Sequence, residues 1–252
     1  FTINQRSFSG GVLAAGVYGF DRWKAGAGGC NVSLSAGVLT HTSGPLAQVM
    51  EAPALAGKVV TVSVEDPSGN LTVNVDGVTG TITAGPGRRG APIAVPSGST
   101  GNVTLTLTAT GITYQRVQVE IGSTATGFEW IPAELAFSLC QRYFETSYPL
   151  GHGPGTVISS GKSSFAVGGT ATTANLVQTN VLFSVQKRAV PAVTIFSDVT
   201  GVAGKLRDNN AGVDIAGTAA APSPSGFIWF GTTVAGAVGI NCSTHWASDA
   251  EL

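Results

Sequence analysis

Apolar and polar residues alternate with a period of two along much of the first half of this chain. Residues 58–65 read K-V-V-T-V-S-V-E, with Val60, Val62 and Val64 on one face and Thr61 and Ser63 on the other; this is the pattern of a half-buried strand. Asp66, Pro67, Ser68, Gly69 and Asn70 follow, offering a preset φ at Pro and a positive φ at Gly, and alternation resumes over 71–76. The two runs predict a hairpin. Residues 102–110 (N-V-T-L-T-L-T-A-T) and 112–121 (I-T-Y-Q-R-V-Q-V-E-I) repeat the pattern about Gly111. Residues 1–132 therefore predict an antiparallel β-sandwich or jelly roll.

The period changes at 133–146, A-E-L-A-F-S-L-C-Q-R-Y-F-E-T, where Leu135, Leu139 and Tyr143 recur at i+4 beside Ala136, Cys140 and Phe144. Pro132 precedes this run and Glu134 lies in its first turn, where the helix dipole favours an anion, so the segment predicts a helix. A Gly/Pro-rich stretch at 151–155 follows, and strand patterns return at 178–186, 192–196, 213–216, 226–230 and 237–245. The expected fold class is all-β, with two antiparallel β-sandwich or jelly-roll domains joined by one short helix. Domain one is 1–132, the connecting helix and linker 133–150, and a second β domain for oligomerisation or receptor contact 151–252.

Composition narrows the partners. Only 11% of the 252 residues are charged, the formal net charge is -1, and 35 residues are Gly, where globular chains carry about 25% charge. Without a Lys/Arg run there is nothing to track a phosphate backbone, so nucleic acid is excluded as a direct partner. Residues 215–248 lack any Asp, Glu, Lys or Arg, but glycines and prolines interrupt them before about 18 apolar residues can accumulate, which excludes membrane insertion. This deficit is expected to be buried between chains of an oligomer. The first twenty residues do not form a signal peptide, and Phe1 in place of Met suggests that residues precede it. Cys30, Cys140 and Cys242 are odd in number and far apart, which fits reduced thiols rather than a disulfide framework.

Several motifs come close to known chemistry and stop short. Residues 155–163 resemble a phosphate-binding loop, but five residues separate the glycines where four are needed, so a β-turn with a solvated Lys162 is expected. Asp208, Asn210 and Asp214 alternate as a calcium loop begins, without its Gly or its distal Glu, and read as a polar hairpin tip. Cys242 and His245, with His41, His152 and Cys30 elsewhere, give one weak zinc pair whose members point to opposite faces of a strand; a core Cys beside a rim His is expected. Glu51, Glu65, Glu120 and Glu129 could supply a glycosidase pair only at a separation of about 5 to 10 Å. Neither a nucleophile elbow nor a triad appears, so no enzyme activity and no cofactor are expected. Tyr18, Trp23, Tyr148, Trp229 and Trp246 remain as candidates for stacking on sugar rings.

A family resemblance rests on particular residues. Asn4-Gln5-Arg6 and then Tyr18-Gly19-Phe20-Asp21-Arg22-Trp23-Lys24 resemble the opening of tailed-phage and prophage virion appendage proteins. The likeness continues through Gln48 to Pro53 and Leu55 to Lys58, which look like the early strands of a carbohydrate-binding-module-like jelly roll. It is most specific at V-Q-V-E-I-G-S (117–123) and A-T-G-F-E (125–129), followed by Glu134-Leu135-Ala136 and Cys140-Gln141-Arg142-Tyr143-Phe144, and the final Asp249-Ala250-Glu251-Leu252 is similar as well. One departure stands out: Trp130-Ile131-Pro132 replaces the family's Arg-Pro after Phe-Glu. The resemblance implies a tail fibre, tail tip or head spike, commonly homotrimeric, without a cofactor, assembled in the bacterial cytoplasm and resident in the virion. Its implied partners are its own copies, other virion proteins and a host-surface glycan. The alternatives are a head spike or decoration protein of a phage or gene transfer agent without a receptor role, and an envelope-glycan depolymerase domain. Asp21–Arg22 is expected as a strand-end ion pair under Trp23, and Phe128-Glu129-Trp130 as a seal of the last strand against the helix.

Overall fold

The computed structural model describes residues 3–170, 173–235 and 238–252. Contacts divide them into two compact units: Phe8–Pro132 with Leu252, and Ile3–Ser7 with Ala133–Glu251. The first unit carries β1 (Gly11–Leu13), β2 (Lys24–Ala25), β3 (Cys30–Ser35), β4 (Val38–Ser43), β5 (Pro45–Met50), β6 (Val59–Glu65), β7 (Leu71–Val75), β8 (Val78–Ile82), β9 (Arg88–Ala94), β10 (Val103–Thr108) and β11 (Ile112–Ile121). They form two antiparallel sheets, of order β1-β3-β4-β11-β6-β9 and β2-β5-β10-β7-β8. Val60, Val62 and Val64 from one sheet and Leu71, Val73 and Leu105 from the other are buried in a shared core. This is an all-β sandwich.

The two expected hairpins are replaced by crossings between sheets. β6 pairs with β9 and β11, whereas β7 pairs with β8 and β10. The turn residues explain the difference, because they bond outward rather than across the turn. Asp66 N–H donates to Gly87 O at 3.0 Å and its carboxylate accepts from Gly87 N–H at 2.7 Å. Ser68 exchanges bonds with Thr113 in the same way, at 2.9 and 2.8 Å. Gly69 is required for this approach, since a Cβ there would stand 2.4 Å from Ile112 Cγ2. β10 and β11, on either side of Gly111, likewise belong to opposite sheets.

The second unit contains α1 (Ala133–Gln141), β12 (Phe144–Thr146), β13 (Ser163–Thr170), β14 (Leu176–Leu182), β15 (Ala192–Phe196), β16 (Lys205–Asp208), β17 (Val213–Ser223), β18 (Gly226–Thr232) and β19 (Val238–Asp249). β19 organises it by pairing along both edges: its first part with β13 and β16, its last five residues with β12 and β15. β17 is shared in the same manner, first with β16 and then with β18, and β18 passes the sheet on to β14. Val177, Leu206, Phe227, Trp229, Cys242 and Trp246 fill the core.

Several expectations change here. The helix ends at Gln141, and residues 144–146, read as its last turn, form a strand that lies opposite Ala247, Ser248 and Asp249. By its contacts, segment 133–150 belongs to the second unit. Leu135 and Leu139 of the apolar stripe are exposed. In 215–248, Cys242 to Ser248 are buried within their own unit, flanked by strands on both edges, so that part of the charge deficit needs no second chain.

Glu145 explains why the helical run breaks. Its carboxylate meets Lys187 Nζ, and both side chains are almost fully buried. Lys187 also donates to Gln141 O at 2.6 Å and Val185 O at 3.0 Å, while the other Glu145 oxygen accepts from Ser184 N–H at 2.9 Å. Burial lowers the Lys187 pKa and Glu145 pulls it back. A buried pair stripped of one partner leaves an uncompensated charge, so Glu145→Gln is expected to cost about 3 to 5 kcal/mol. Denaturant unfolding followed by tryptophan fluorescence should show this, and Glu145→Met with Lys187→Met should recover most of the loss.

His41 and His245 are buried as neutral rings. His41 Nε2–H donates to Gly44 O at 2.6 Å while Nδ1 accepts from Tyr114 Oη at 2.9 Å. His245 Nε2–H donates to Ile158 O at 2.8 Å, and Nδ1 accepts from Ser147 Oγ at 2.9 Å. Burial holds both below their ordinary 6.5. The unfolded chain therefore binds protons at pH values where the folded one does not, and stability present above pH 6.5 is lost as pH falls below it. Unfolding free energies measured from about pH 7.5 down to about pH 5 should decline, and His41→Gln and His245→Gln should each flatten the slope.

Candidate binding surface

The six-stranded sheet turns Val60, Val62, Val64, Ala91 and Ile93 into the core. Its other face carries Thr61, Ser63 and Glu65 from β6, Arg88 and Gly90 from β9, and Gln118 and Glu120 from β11, consistent with the alternation of a strand. Residues 122–130 fold back over this face as a strap. Thr61 Oγ1 donates to Gly122 O at 2.8 Å. The Glu120 carboxylate accepts from Thr126 N–H at 2.9 Å and Thr126 Oγ1 at 2.6 Å, and Gln118 Oε1 accepts from Glu129 N–H at 2.8 Å. Gly90 makes room, because a Cβ there would lie 3.0 Å from Ala125 Cβ. The Thr126 bonds hold the Glu120 carboxyl below its ordinary pKa.

At the end of the strap the sheet is irregular. Gln115 pairs with Glu65 and Gln118 with Ser63, so Arg116 and Val117 together oppose Val64 alone. Such a bulge bends a strand and re-aims its side chains. Arg116 adopts φ 53°, left-handed backbone that a non-glycine residue holds only when its surroundings fix it. Here they do: Arg88 donates to the Arg116 carbonyl, and Arg116 Nη1 lies 2.6 Å from Glu65 Oε2. Arg88 also donates to Ser63 Oγ at 2.8 Å and stands 5.5 Å above the Phe128 ring. Burial lowers its pKa, with Glu65 and Glu120 opposing.

The result is a supported aromatic platform. The Arg116 guanidinium lies 4.9 Å from the Trp130 ring centroid, and Phe128 meets Trp130 edge to face at 5.0 Å and 88°. Trp130 nevertheless remains 68% exposed. An indole held by a cation and an aromatic edge, with guanidinium donors and a carboxylate beside it, offers an apolar stacking face next to oriented hydrogen-bonding groups. Glu65 is committed to Arg116 and Glu120 to Thr126, and Glu120 is shifted away from the raised pKa of a general acid.

The aromatic residues singled out from sequence are placed differently. Trp23, Tyr148, Trp229 and Trp246 are buried. Tyr148 stacks on His245 at 4.1 Å, Trp229 Nε1 donates to Ser163 Oγ at 2.9 Å, and Trp246 packs against Phe183 and Phe227. Tyr18 is part-exposed, but its hydroxyl donates to Leu252 O at 2.5 Å, as does Lys24 Nζ. Trp130 was missed, although its signal was present as the departure from the appendage pattern at 130–132.

The other motifs have structural duties. Asp208 accepts from the N–H groups of Asn210, Ala211 and Val234, whereas Asp214 bonds Ser197, Thr200 and Arg207. Among the described residues no group of three His, Cys, Asp or Glu is arranged for a metal. Cys242 is buried and its pKa rises to about 11; His245 is buried rather than at a rim. Lys162 is bound to Asp198 at 2.7 Å instead of being solvated, and a strand rather than a helix follows it. Arg6 lies 3.7 Å over the Phe144 ring and pairs with Asp249 and Glu251, while Gln5 donates to Phe144 O at 2.7 Å, so the first and last family-like segments hold one another.

No protein-family profile matches the chain, and no curated protein matches it in sequence. Among solved structures it is similar to recombinant and wild-type discoidin II of Dictyostelium discoideum, at 10% and 12% identity over 98% of this chain and 92% and 91% of theirs. It is also similar, at 10% identity over 96% of this chain and 46% of the other, to a Paenibacillus cycloisomaltooligosaccharide glucanotransferase complexed with cycloisomaltoheptaose. The TM-scores are 0.25, 0.26 and 0.26, too low to bear on what this chain binds.

Proposed function

We propose that this chain is a non-catalytic, glycan-binding part of a tailed-phage or prophage virion appendage of the tail-fibre type, with the Trp130 platform as its sugar contact. The observation that carries the reading is the exposed indole of Trp130, in contact with the Arg116 guanidinium and, in a T-shaped arrangement, with the Phe128 ring. The C–H face of a pyranose stacks on such a ring, while its hydroxyls accept from guanidinium N–H groups and donate to the neighbouring carboxylate. The partner is a neutral or weakly charged host-surface glycan, because Arg116 is already neutralised by Glu65. The appendage assignment draws support from the family-like residues themselves: Gln118, Glu120 and Thr126 hold the strap, and Arg6, Asp249 and Glu251 hold each other. One shallow platform binds weakly, so the mechanism is adhesion by many copies, in which avidity exceeds single-site affinity by about 100- to 10,000-fold.

An array of bacterial envelope glycans, probed with the chain displayed in many copies on beads, tests this reading. Trp130→Ala should weaken monovalent binding to the glycans found by about tenfold or more, the loss of roughly 1.4 kcal/mol of stacking. Trp130→Phe should retain part of it, and Tyr18→Phe should change nothing. Binding unaffected by Trp130→Ala, or absent from every glycan, would overturn the proposal.

A further inference from the structure

β14 is the outermost strand of its sheet. Among the described residues it pairs with β18 and with no strand on its other side. Such an edge presents a row of backbone N–H and C=O groups, and proteins ordinarily guard it with charge, proline, a bulge or a cover. β14 has none of the first three: it reads L-V-Q-T-N-V-L, and its register with β18 runs unbroken through all 7 residues. The strands behind it are also uncharged, β18 entirely and β17 from Ile215 onward. Its two ends, Leu176 and Leu182, are 65% and 80% exposed.

The sequence of β14 is nearly the same read in either direction from Thr179. Gln178 mirrors Asn180, Val177 mirrors Val181, and Leu176 mirrors Leu182. We propose that β14 pairs antiparallel with β14 of a second copy about a two-fold axis through Thr179, making one continuous sheet across a homodimer. In that register Leu faces Leu, Val faces Val, Gln178 faces Asn180 of the second copy, and the two Thr179 residues meet on the axis. Directly opposed side chains interact across an antiparallel pair, a Thr–Thr pair favourably, and no like charges meet in this register. A surface that complements itself about a two-fold closes at two copies, which distinguishes this contact from the threefold arrangement implied by the family resemblance. It also gives the exposed share of the charge-poor 215–248 region its role, since a charge there would face its own image.

Light scattering coupled to size-exclusion chromatography, with circular dichroism to confirm the fold, tests the pairing through two double variants at exposed positions. The unaltered chain should have dimer mass. Gln178→Lys with Asn180→Lys puts like charges opposite one another twice per interface and should raise the dimer dissociation constant by about tenfold or more. Gln178→Lys with Asn180→Glu places each ammonium opposite a carboxylate and should stay dimeric. A monomer, trimer or open polymer for the unaltered chain would overturn the proposal. So would indifference to the paired lysines, or dissociation of the folded Lys/Glu variant.

Discussion

Between Gln115 and Gln118 β11 has two residues where β6 has one, and the outward face of the first unit takes its chemistry from that mismatch. A regular ladder would keep Arg116 in strand geometry. The bulge instead gives it a left-handed backbone and places its guanidinium against both Glu65 and Trp130. Strain of this kind costs of order 1 to 3 kcal/mol and persists only where neighbours over-determine it. Arg88 at the carbonyl, Glu65 at the guanidinium and the strap at residues 122–130 supply that determination. The strap depends in turn on Gln118 and Glu120, so one short stretch of β11 both makes the irregularity and anchors the cover beside it.

Few charges are present, and many of those described have definite tasks. Lys187 and Glu145 end the helical run and fix β12 in the sheet. Arg6 ties residues near the start of the chain to Asp249 and Glu251. Elsewhere hydroxyls and backbone groups take over the polar work: Ser68 crosses to Thr113, Thr126 satisfies Glu120, and Ser147 occupies His245. Part of the charge-poor C-terminal region is accounted for by the burial of β19 among its own neighbours, and the uncharged strands β18 and β14 pair with one another.

Strands β6, β7, β10 and β11 were legible because apolar and polar residues alternate in them as plainly as at Val60, Val62 and Val64; the other strands of the unit were not read from periodicity, nor was the sheet to which each belongs. Period-two patterning identifies a strand but says nothing about whether the next turn closes a hairpin or crosses a sandwich, a choice made here by bonds from Asp66 to Gly87 and from Ser68 to Thr113. The C-terminal strands were located, yet β12 and β13 were missed: the first hid in a helical spacing that Glu145 interrupts, the second is short of large apolar residues. The candidate site was the least legible part. Large aromatics were judged by type, and type predicts burial for Trp23, Trp229 and Trp246. Trp130 differs only through its position after the strap and its contact with Arg116, a residue whose unusual backbone no local sequence rule announces.

The four tryptophans give the central claim a direct readout, since Trp23, Trp229 and Trp246 are buried and Trp130 is exposed. In a nitrogen–proton correlation spectrum each indole N–H gives its own resonance, assignable by single Trp→Phe substitution. Titration with an oligosaccharide cut from a bacterial envelope glycan should move the Trp130 indole resonance together with Arg116 side-chain signals and leave the other three indoles in place. A shift centred on any buried indole, or saturation of binding with the Trp130 resonance unmoved, would contradict the account.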